Sequence, residues 1–325
     1  MKKVKVAVVG IGSIGKHHVR NYFEIPEAEL VAIADINEKA ASVAEKYKAR
    51  FYQDFQEMLE KEDVDAVSVA VPTNLHATVA LEVIKRGKHL LIEKPIAATL
   101  ADAKRIIEAA RGKGIKLSVG HLERFNPVII NLKELMKSGE LGEIISINVK
   151  RVGLPPVSTG GMDVITDLAI HDIDIINYLL GEVPIKVSAV GKRAVLDSTI
   201  DSALIQLTYP SAFAQIETNW VTPVKIRILT IAGTKGYAEL NYITQDLEFF
   251  ERISSGSIDT FGEFKRKLGK PKHKKIKIKK VEPLKNELDH FIKSILGKEE
   301  MMTTGEEALV ALKTALLASA QIKTE

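Results

Sequence analysis

Four ionisable side chains recur at helical spacing between residues 160 and 174, and they are the first candidates for chemistry. They are Asp163, Asp167, His171 and Asp174, and they follow the glycine pair Gly160-Gly161. On a helix of about 3.6 residues per turn, the four fall along one side. A histidine with carboxylates one turn away is a tunable base. The same spacing is also typical of an amphipathic helix with a solvated acidic face, so both interpretations stay open at this point.

A glycine-rich loop directly follows an apolar strand pattern at residues 4–9. Its sequence is Gly10-Ile11-Gly12-Ser13-Ile14-Gly15, and a helical pattern begins at Lys16. Gly10 permits a tight turn, Gly12 lets the backbone approach a pyrophosphate, and Gly15 lets the helix pack on the strand. The first amides of the helix would face the phosphates. We therefore expect a dinucleotide to be bound by Gly10, Gly12, Ser13, Ile14 and Gly15.

An acidic residue in the next strand pattern predicts which dinucleotide is bound. Residues 30–34 form that pattern, and Asp35 ends it, twenty residues after Gly15. A carboxylate at this place can accept both hydroxyls of the adenosine ribose and would repel a 2′-phosphate. The sequence therefore predicts NAD rather than NADP. The alternative is that Asp35 is only a turn residue before a helix capped by Asn37.

Further polar residues follow the ends of later strand patterns. They are Thr73, Asn74 and His76, then Glu93 and Lys94, and finally His121. Ligands of a doubly wound parallel sheet bind beyond the carboxyl ends of its strands. We assign Thr73, Asn74, His76, Glu93 and Lys94 to cofactor binding. By contrast, we interpret His17 and His18, just inside the first helix, as surface residues.

The order of the elements predicts an α/β protein of two domains. Residues 1–120 alternate six strands with helices, as in an NAD-binding Rossmann domain with a doubly wound parallel sheet. Residues 121–325 predict an α+β domain for substrate binding and oligomerisation, with a large, mostly antiparallel open sheet. Its strands are expected near 143–151, 185–193, 202–208, 212–219, 224–232, 236–243, 246–251 and 273–280. One helix precedes these strands, and two helices close the chain.

Composition restricts the class of protein. The chain has 325 residues, 46% of them hydrophobic and 27% charged, which suits an ordinary globular protein with more than one core. It has no cysteine, which excludes disulfides, thiolate catalysis and zinc–cysteine sites. The histidines are scattered, so we expect no metal site. Without a long apolar run or a signal-peptide pattern at its start, the sequence predicts a cytoplasmic protein that binds no membrane.

One basic segment accounts for the net charge of +4. Lys265 to Lys280 contains ten Lys or Arg and no Asp or Glu, and the remainder has 36 basic against 42 acidic residues, or −6. The segment contains no aromatic residue, and its Lys-Ile alternation is typical of a strand with a lysine-covered outer face. We therefore expect no nucleic acid as a partner.

Two motifs, taken with the dinucleotide loop, resemble a known family of oxidoreductases. Glu93-Lys94-Pro95 ends the fifth strand, and Gly160-Gly161 and Asp167-Leu168-Ala169-Ile170-His171-Asp172-Ile173-Asp174 follow later. This order is similar to the glucose-fructose oxidoreductase and inositol 2-dehydrogenase family over nearly the whole chain. The resemblance implies that Lys94 and His171 flank a reacting hydroxyl. It also implies that Asp167 borders the substrate and that Glu93 lies near the nicotinamide.

These implied roles suit the oxidation of a secondary alcohol. The reaction needs a base for the hydroxyl proton while a hydride leaves the same carbon. Neutral His171 suits the base, with Asp167 and Asp174 near it. Lys94 would bring positive charge to the developing alkoxide, or would itself act as the base if desolvated. The sequence leaves both assignments open, beside the simpler interpretation of Lys94 as a solvated loop residue.

The resemblance also favours a sugar nucleotide as substrate. It is strongest at residues 120–127, 167–174 and 220–225, and these segments favour UDP-N-acetylglucosamine oxidised at its 3-hydroxyl. The substrate residues are expected to be Arg124, Asn126, Asp167 and His171. Trp220 could stack on a ring and Lys225 with Arg227 could meet a diphosphate, or the three could be core and surface residues. The expected assembly is a homo-oligomer, a dimer or tetramer, in which a second subunit covers the open sheet.

Two alternative functions remain at the level of the sequence. One is a dehydrogenase of a free sugar or inositol. The other is a non-catalytic regulator that senses NAD or a nucleotide, although such a protein would have no need of Lys94, Asp167 and His171.

Overall fold

The computed structural model describes residues 3–156, 161–252 and 272–322. The chain divides into two compact units. The first unit consists of Met1–Phe125 and Val281–Lys313, and the second consists of Asn126–Lys280 and Thr314–Glu325. Each unit contains one sheet.

The first unit contains a six-stranded parallel sheet, as predicted. Its strands are β1 (Val4–Val9), β2 (Ala28–Ala34), β3 (Arg50–Tyr52), β4 (Ala66–Val69), β5 (His89–Glu93) and β6 (Leu117–Gly120). Their order is β3-β2-β1-β4-β5-β6, and every neighbouring pair is parallel. Strand β4 is buried along its whole length, as expected where helices cover both faces. The strand order reverses between β1 and β4, so a ligand site is expected beyond their carboxyl ends.

The helices begin largely where the sequence predicts them. They are α1 (Ser13–Glu24), α2 (Ala41–Lys46), α3 (Phe55–Lys61), α4 (His76–Lys85), α5 (Leu100–Lys113), α6 (Pro127–Lys137), α7 (Ile170–Leu180), α8 (Pro283–Ile295) and α9 (Gly305–Gln321). The side chains of Asn37, Asp54 and Thr99 each accept a backbone amide at a helix start. Among the described residues, no helix combines the length and the apolarity needed to span a bilayer.

Helix α8 joins the first unit, which differs from the predicted division into residues 1–120 and 121–325. Its apolar residues Leu288, Phe291 and Ile292 lie in one buried cluster with Val19 and Tyr22 of α1. This packing removes the apolar face of α8 from water and explains why residues 281–313 belong to the first unit. Sequence order alone suggests that α8 belongs to the second unit, since α8 follows all strands of the second sheet.

The second unit contains an eight-stranded sheet, and its mostly antiparallel pairing is confirmed. Its strands are β7 (Ile144–Val152), β8 (Lys186–Lys192), β9 (Ser202–Thr208), β10 (Phe213–Asn219), β11 (Ile226–Gly233), β12 (Gly236–Asn241), β13 (Asp246–Glu251) and β14 (His273–Ile276). The order is β14-β13-β12-β11-β7-β10-β9-β8, and β7 with β10 is the one parallel pair among these strands. The chain between β7 and β10 includes α7, the longer connection that a parallel pair requires.

The basic segment is described only from residue 272, and its part from Lys265 to residue 271 lies outside the described residues. Strand β14 ends at Ile276, earlier than the predicted residue 280. Lys272 and Lys275 lie 3.2 Å and 3.3 Å from carboxylate oxygens of Glu251 and Asp246. These ion pairs favour the structural interpretation of the segment, because they place lysines of its described part beside acidic neighbours.

Candidate active site

The glycine-rich loop connects β1 to α1, and its glycines have different roles. Gly10 has a φ of +90°, and a Cβ there would lie 2.6 Å from the Ala70 carbonyl oxygen. A Cβ at Gly15 would collide with the Gly10 carbonyl. Both glycines are therefore required by close backbone approach at the point where β1 and β4 meet.

Gly12 faces open space instead. A Cβ at this position would have no protein atom within 4 Å, and Gly12 begins α1 without a capping side chain. The amides of Ser13 and Ile14 belong to this uncapped first turn, where the helix dipole favours an anion. The loop therefore fits a pyrophosphate, and a side chain on Gly12 would occupy the space that a pyrophosphate needs.

Asp35 lies immediately beyond β2 and is held against the same loop. Its Oδ2 accepts a hydrogen bond from the Ile11 amide at 2.6 Å, and its Oδ1 accepts one from the Asn37 amide at 2.8 Å. Each carboxylate oxygen has a second lone pair for a ribose hydroxyl. Asp35 thus shapes the turn and also fits the predicted ribose contact, so the two interpretations made from the sequence are compatible.

Glu93, at the end of β5, is buried and has a histidine partner that the sequence did not reveal. Nε2 of His18 lies 2.9 Å from Glu93 Oε1 and donates to it, while its Nδ1 lies 3.0 Å from Ser68 Oγ. The Tyr22 hydroxyl lies 3.1 Å from the same Ser68 Oγ. The prediction that His18 is a surface residue was wrong, because its side chain is fully buried. The i, i+4 spacing of His18 and Tyr22 on α1 was the available signal.

The partners of Glu93 keep it ionised despite its burial. Burial opposes the charged form, but the hydrogen bond with His18 and the charges of His18 and Lys94 together lower the pKa of Glu93. Its Oε2 also accepts the Lys94 amide at 3.2 Å. A Cβ at Gly120, on the neighbouring strand β6, would lie 2.8 Å from Oε2. Glu93 therefore fixes the backbone at the half-buried Lys94.

Three predicted cofactor residues lie in the segment after β4, and they differ in their exposure to solvent. Thr73 and Asn74 lie in a short 3₁₀ helix, Thr73–Leu75, where Asn74 is exposed and Thr73 half-buried. His76 is buried, and its ring nitrogens lie 2.9 Å and 3.0 Å from the Pro95 and Val71 carbonyl oxygens. Burial lowers the pKa of His76 more than these carbonyls raise it. His76 therefore connects two loops at the edge of the sheet.

In the second unit, Asp167 lies in a π-helix, Ile165–Ala169, that runs directly into α7. Asp163 begins this turn, since its Oδ1 accepts the Thr166 amide at 2.8 Å and its Oδ2 accepts the Ser319 hydroxyl at 2.6 Å. Gly161 has a φ of +81°, as suits the predicted loop, while Gly160 lies outside the described residues. Asp167 and His171 are both half-buried. The sequence predicts a helix here but not its wider π turn, a feature often found at functional sites.

A buried ion pair anchors α7 directly after His171. Nε of Arg151, on β7, donates to Asp172 Oδ2 at 2.7 Å, and both side chains are almost fully buried. The guanidinium also lies over the ring of Tyr242, with 5.0 Å to its centroid. Asp174 is buried as well, so the predicted single solvated face is wrong for this residue. The pair was not found from the sequence, because an Arg on a strand gives no local sign of burial.

The second unit also contains a pocket of about 330 Å³, and Asp167 is part of its wall. The remaining lining residues are Gly153, Leu154, Pro156, Leu168, Trp220, Pro223, Lys225 and Arg227. Trp220 is only 2% exposed. This burial agrees with the interpretation of Trp220 as a core residue. The volume lies in the range of small-molecule sites.

Arg124 and Asn126, which the sequence assigns to the substrate, are both buried in the structure. Arg124 is 1% exposed, and its Nη1 donates to the Met302 carbonyl at 2.7 Å and to Glu307 at 3.0 Å. Asn126 caps α6 and donates to the Tyr242 carbonyl at 3.2 Å. Both side chains are buried in hydrogen bonds with residues more than a hundred positions later in the chain, which the sequence pattern could not show.

Together these features define a class of protein. A parallel sheet with an open phosphate cradle and an acidic ribose position is a dinucleotide domain, and the second unit adds a small-molecule pocket bordered by a carboxylate. This combination is that of a nicotinamide-dependent oxidoreductase.

Family models agree with this class over both units. Residues 4–121 match the model described as "Oxidoreductase family, NAD-binding Rossmann fold", and residues 133–325 match "Oxidoreductase family, C-terminal alpha/beta domain". The chain therefore belongs to the GFO/IDH/MocA family of oxidoreductases, and its cofactor is NAD. The resemblance seen in the sequence is confirmed.

Individual relatives have names that refer to different substrates. UDP-N-acetylglucosamine 3-dehydrogenase of Acidithiobacillus ferrooxidans is 28% identical over 327 residues, 99% of this chain and 97% of the relative. Its solved structure has a TM-score of 0.86 at 27% identity, covering 99% of this chain and 98% of that one. Myo-inositol 2-dehydrogenase of Thermotoga maritima is 32% identical over 221 residues, 64% of this chain and 66% of the relative. The chain is thus a dehydrogenase of the sugar and polyol class.

Substitution of Gly12 tests the phosphate cradle. Gly12→Val should leave the fold intact, because its Cβ meets no protein atom, and should weaken NAD binding about 100-fold or more, equivalent to about 2.7 kcal/mol. Calorimetric titration with NAD measures the loss. Gly112→Ala, another glycine with open space around it, is the matched control and should bind NAD normally. Equal NAD affinity of Gly12→Val and the wild type would contradict the cradle.

Substitution of Glu93 tests its buried charge. The pKa of Glu93 is lower in the folded than in the unfolded chain, so its charge stabilises the fold above the ordinary carboxyl pKa of about 4.3 and loses this effect as pH falls through the folded value. Glu93→Gln should therefore lower the free energy of unfolding by about 1–3 kcal/mol at pH 7, with a smaller difference near pH 3.

Urea unfolding at several pH values measures this difference. The control is Glu57→Gln, which removes an exposed i, i+4 ion pair with Lys61 and should cost at most about 0.5 kcal/mol. A Glu93→Gln effect as small as that of the control, or one that does not change with pH, would show that the charge of Glu93 does not matter.

Proposed function

We propose that the protein oxidises a ring secondary hydroxyl of a sugar nucleotide, with UDP-N-acetylglucosamine and its 3-hydroxyl as the best candidate. The observation that carries this proposal is the position of Asp167 in the pocket wall, one turn before His171. A carboxylate there can accept hydroxyl hydrogen bonds of a sugar ring. The likeness to UDP-N-acetylglucosamine 3-dehydrogenase over 99% of the chain supports the choice of substrate.

We assign the cofactor to the first unit. Gly10 and Gly15 shape the loop, Gly12 leaves room for the pyrophosphate, and the amides of Ser13 and Ile14 donate to it. Asp35 accepts the ribose hydroxyls, and Thr73 and Asn74 contribute from the neighbouring strand end. Glu93 takes no direct part and holds the Lys94 backbone. When bound, NAD supplies the acceptor for the hydride.

Proton transfer is assigned to His171 and Lys94. His171 accepts the hydroxyl proton as a neutral base, and the buried Arg151–Asp172 pair fixes the start of α7 on which it lies. Lys94 contributes positive charge where the alkoxide develops, which makes loss of the proton easier. The reverse assignment, with Lys94 as the base, uses the same two residues. The runner-up substrate is a free sugar or an inositol, since a myo-inositol 2-dehydrogenase is 32% identical over 64% of the chain.

Turnover of defined substrates tests the proposed function. UDP-N-acetylglucosamine with NAD should increase the reduced-nicotinamide absorbance, whereas myo-inositol and free N-acetylglucosamine should give much slower increases. Lys94→Ala and His171→Ala should each lower kcat by about 100- to 10,000-fold, the usual contribution of a general acid or base, with NAD binding retained.

Lys104→Ala, an exposed lysine of α5, is the matched control and should keep full activity. Full activity of either site variant would remove that residue from the mechanism. Faster turnover of myo-inositol than of the sugar nucleotide would replace the proposed substrate by the runner-up.

A second copy of the chain is the proposed cover of the second sheet. Phe213 of β10 and Val190 of β8 are 53% and 67% exposed, and Phe213 alternates with buried core positions of its strand. A homo-oligomer, dimer or tetramer, would remove them from water. Light scattering at micromolar concentration should therefore give at least twice the 35.8 kDa chain mass, and a mass near 35.8 kDa would rule out this assembly.

A further inference from the structure

We propose that Lys225 and Arg227 form an anion subsite in the pocket of the second unit, which binds the diphosphate of a nucleoside diphosphate. This inference rests on the proposed function, because it assigns the nucleotide part of the same substrate to named residues. Both cations line the pocket whose wall also contains Asp167. The lining thus has two positive charges and one negative charge. A neutral sugar or cyclitol has no group that would pair with this excess of positive charge.

Lys225 is available for a ligand. It is exposed at the pocket wall, just before β11 begins, and it forms no hydrogen bond or ion pair with any residue of the described ranges. Lys150 on β7 of the same sheet, by contrast, lies 3.2 Å from a carboxylate oxygen of Glu217. A lysine that lacks a carboxylate partner and faces a pocket is suited to a phosphate oxygen as a flexible point charge.

Arg227 complements this mobile charge with a fixed one. Its Nη1 donates to the carbonyl oxygens of Val152 and Ile226, which orient the plane of the guanidinium beside the pocket. The guanidinium lies against Gly153, where a Cβ would be in ordinary van der Waals contact with its two terminal nitrogens, at 3.8 Å and 3.9 Å. A planar guanidinium held in one orientation suits the geometry of a phosphoryl group.

The rest of the pocket strengthens these charges. Leu154, Pro156, Leu168 and Pro223 supply apolar walls, where an ionic contact is less screened than in water. The wall around Trp220 is also fixed, because Asn219 Oδ1 accepts the amides of Val221 and Thr222 at 3.1 Å and 2.9 Å. The pocket therefore has an acidic part at Asp167, suited to ring hydroxyls, and a basic part at the start of β11, suited to the diphosphate.

Binding of UDP without turnover tests the subsite. Calorimetric titration of the wild-type protein with UDP, in the presence of NAD, should show saturable binding that weakens with added salt. Lys225→Met should weaken UDP binding by about 10- to 100-fold, the usual range for a charge-assisted hydrogen bond, and Arg227→Lys by a similar or smaller factor. Binding of uridine, which has no phosphate, should be the same in all variants.

The matched control is Lys192→Met, an exposed lysine of β8 that is not part of the pocket. It should bind UDP as the wild type does, and all variants should bind NAD equally. Absence of UDP binding to the wild type, or equal affinity of Lys225→Met and Lys192→Met, would overturn the subsite. If UDP binds through Lys225 while UDP-N-acetylglucosamine is not oxidised, the subsite stands and the proposed reaction fails, so the two failures are distinguishable.

Discussion

In each unit, a buried acidic side chain is fixed by a basic partner directly beside a proposed catalytic residue. Glu93 is held by His18 and directly precedes Lys94. Asp172 is held by Arg151 and directly follows His171. Burying such groups costs free energy unless they are hydrogen-bonded, and removing one partner leaves an uncompensated charge. These pairs therefore define one arrangement of the backbone at Lys94 and at His171, which catalysis requires.

The cofactor site depends on a different constraint, the close approach of backbones where the strand order reverses. A Cβ on Gly10 would collide with the backbone of Ala70, and a Cβ on Gly15 would collide with the Gly10 carbonyl, so neither residue can have a side chain. The same loop leaves the first turn of α1 uncapped above Gly12, and its Ile11 amide donates to Asp35. The proposed phosphate and ribose contacts therefore lie on one short segment of the chain and its neighbour Asp35.

The two units contribute to function in different ways. The first unit fits NAD and matches the NAD-binding Rossmann model of the oxidoreductase family. The pocket of the second unit is the proposed place of substrate specificity, because its lining combines Asp167 with two cations and apolar walls. A common fold therefore says little about the substrate, and the charges around the pocket say more.

The sequence by itself determined the local features of this protein. The glycine loop, Asp35, the helix caps and nearly all strands follow from turn chemistry and from the periods of apolar residues, which depend only on near neighbours. Only the tertiary structure decided that His18, Arg124, Asn126 and Asp174 are buried, and that α8 packs with α1. Each of these depends on partners far away in the chain, and a polar side chain looks the same in sequence whether it meets water or a buried partner.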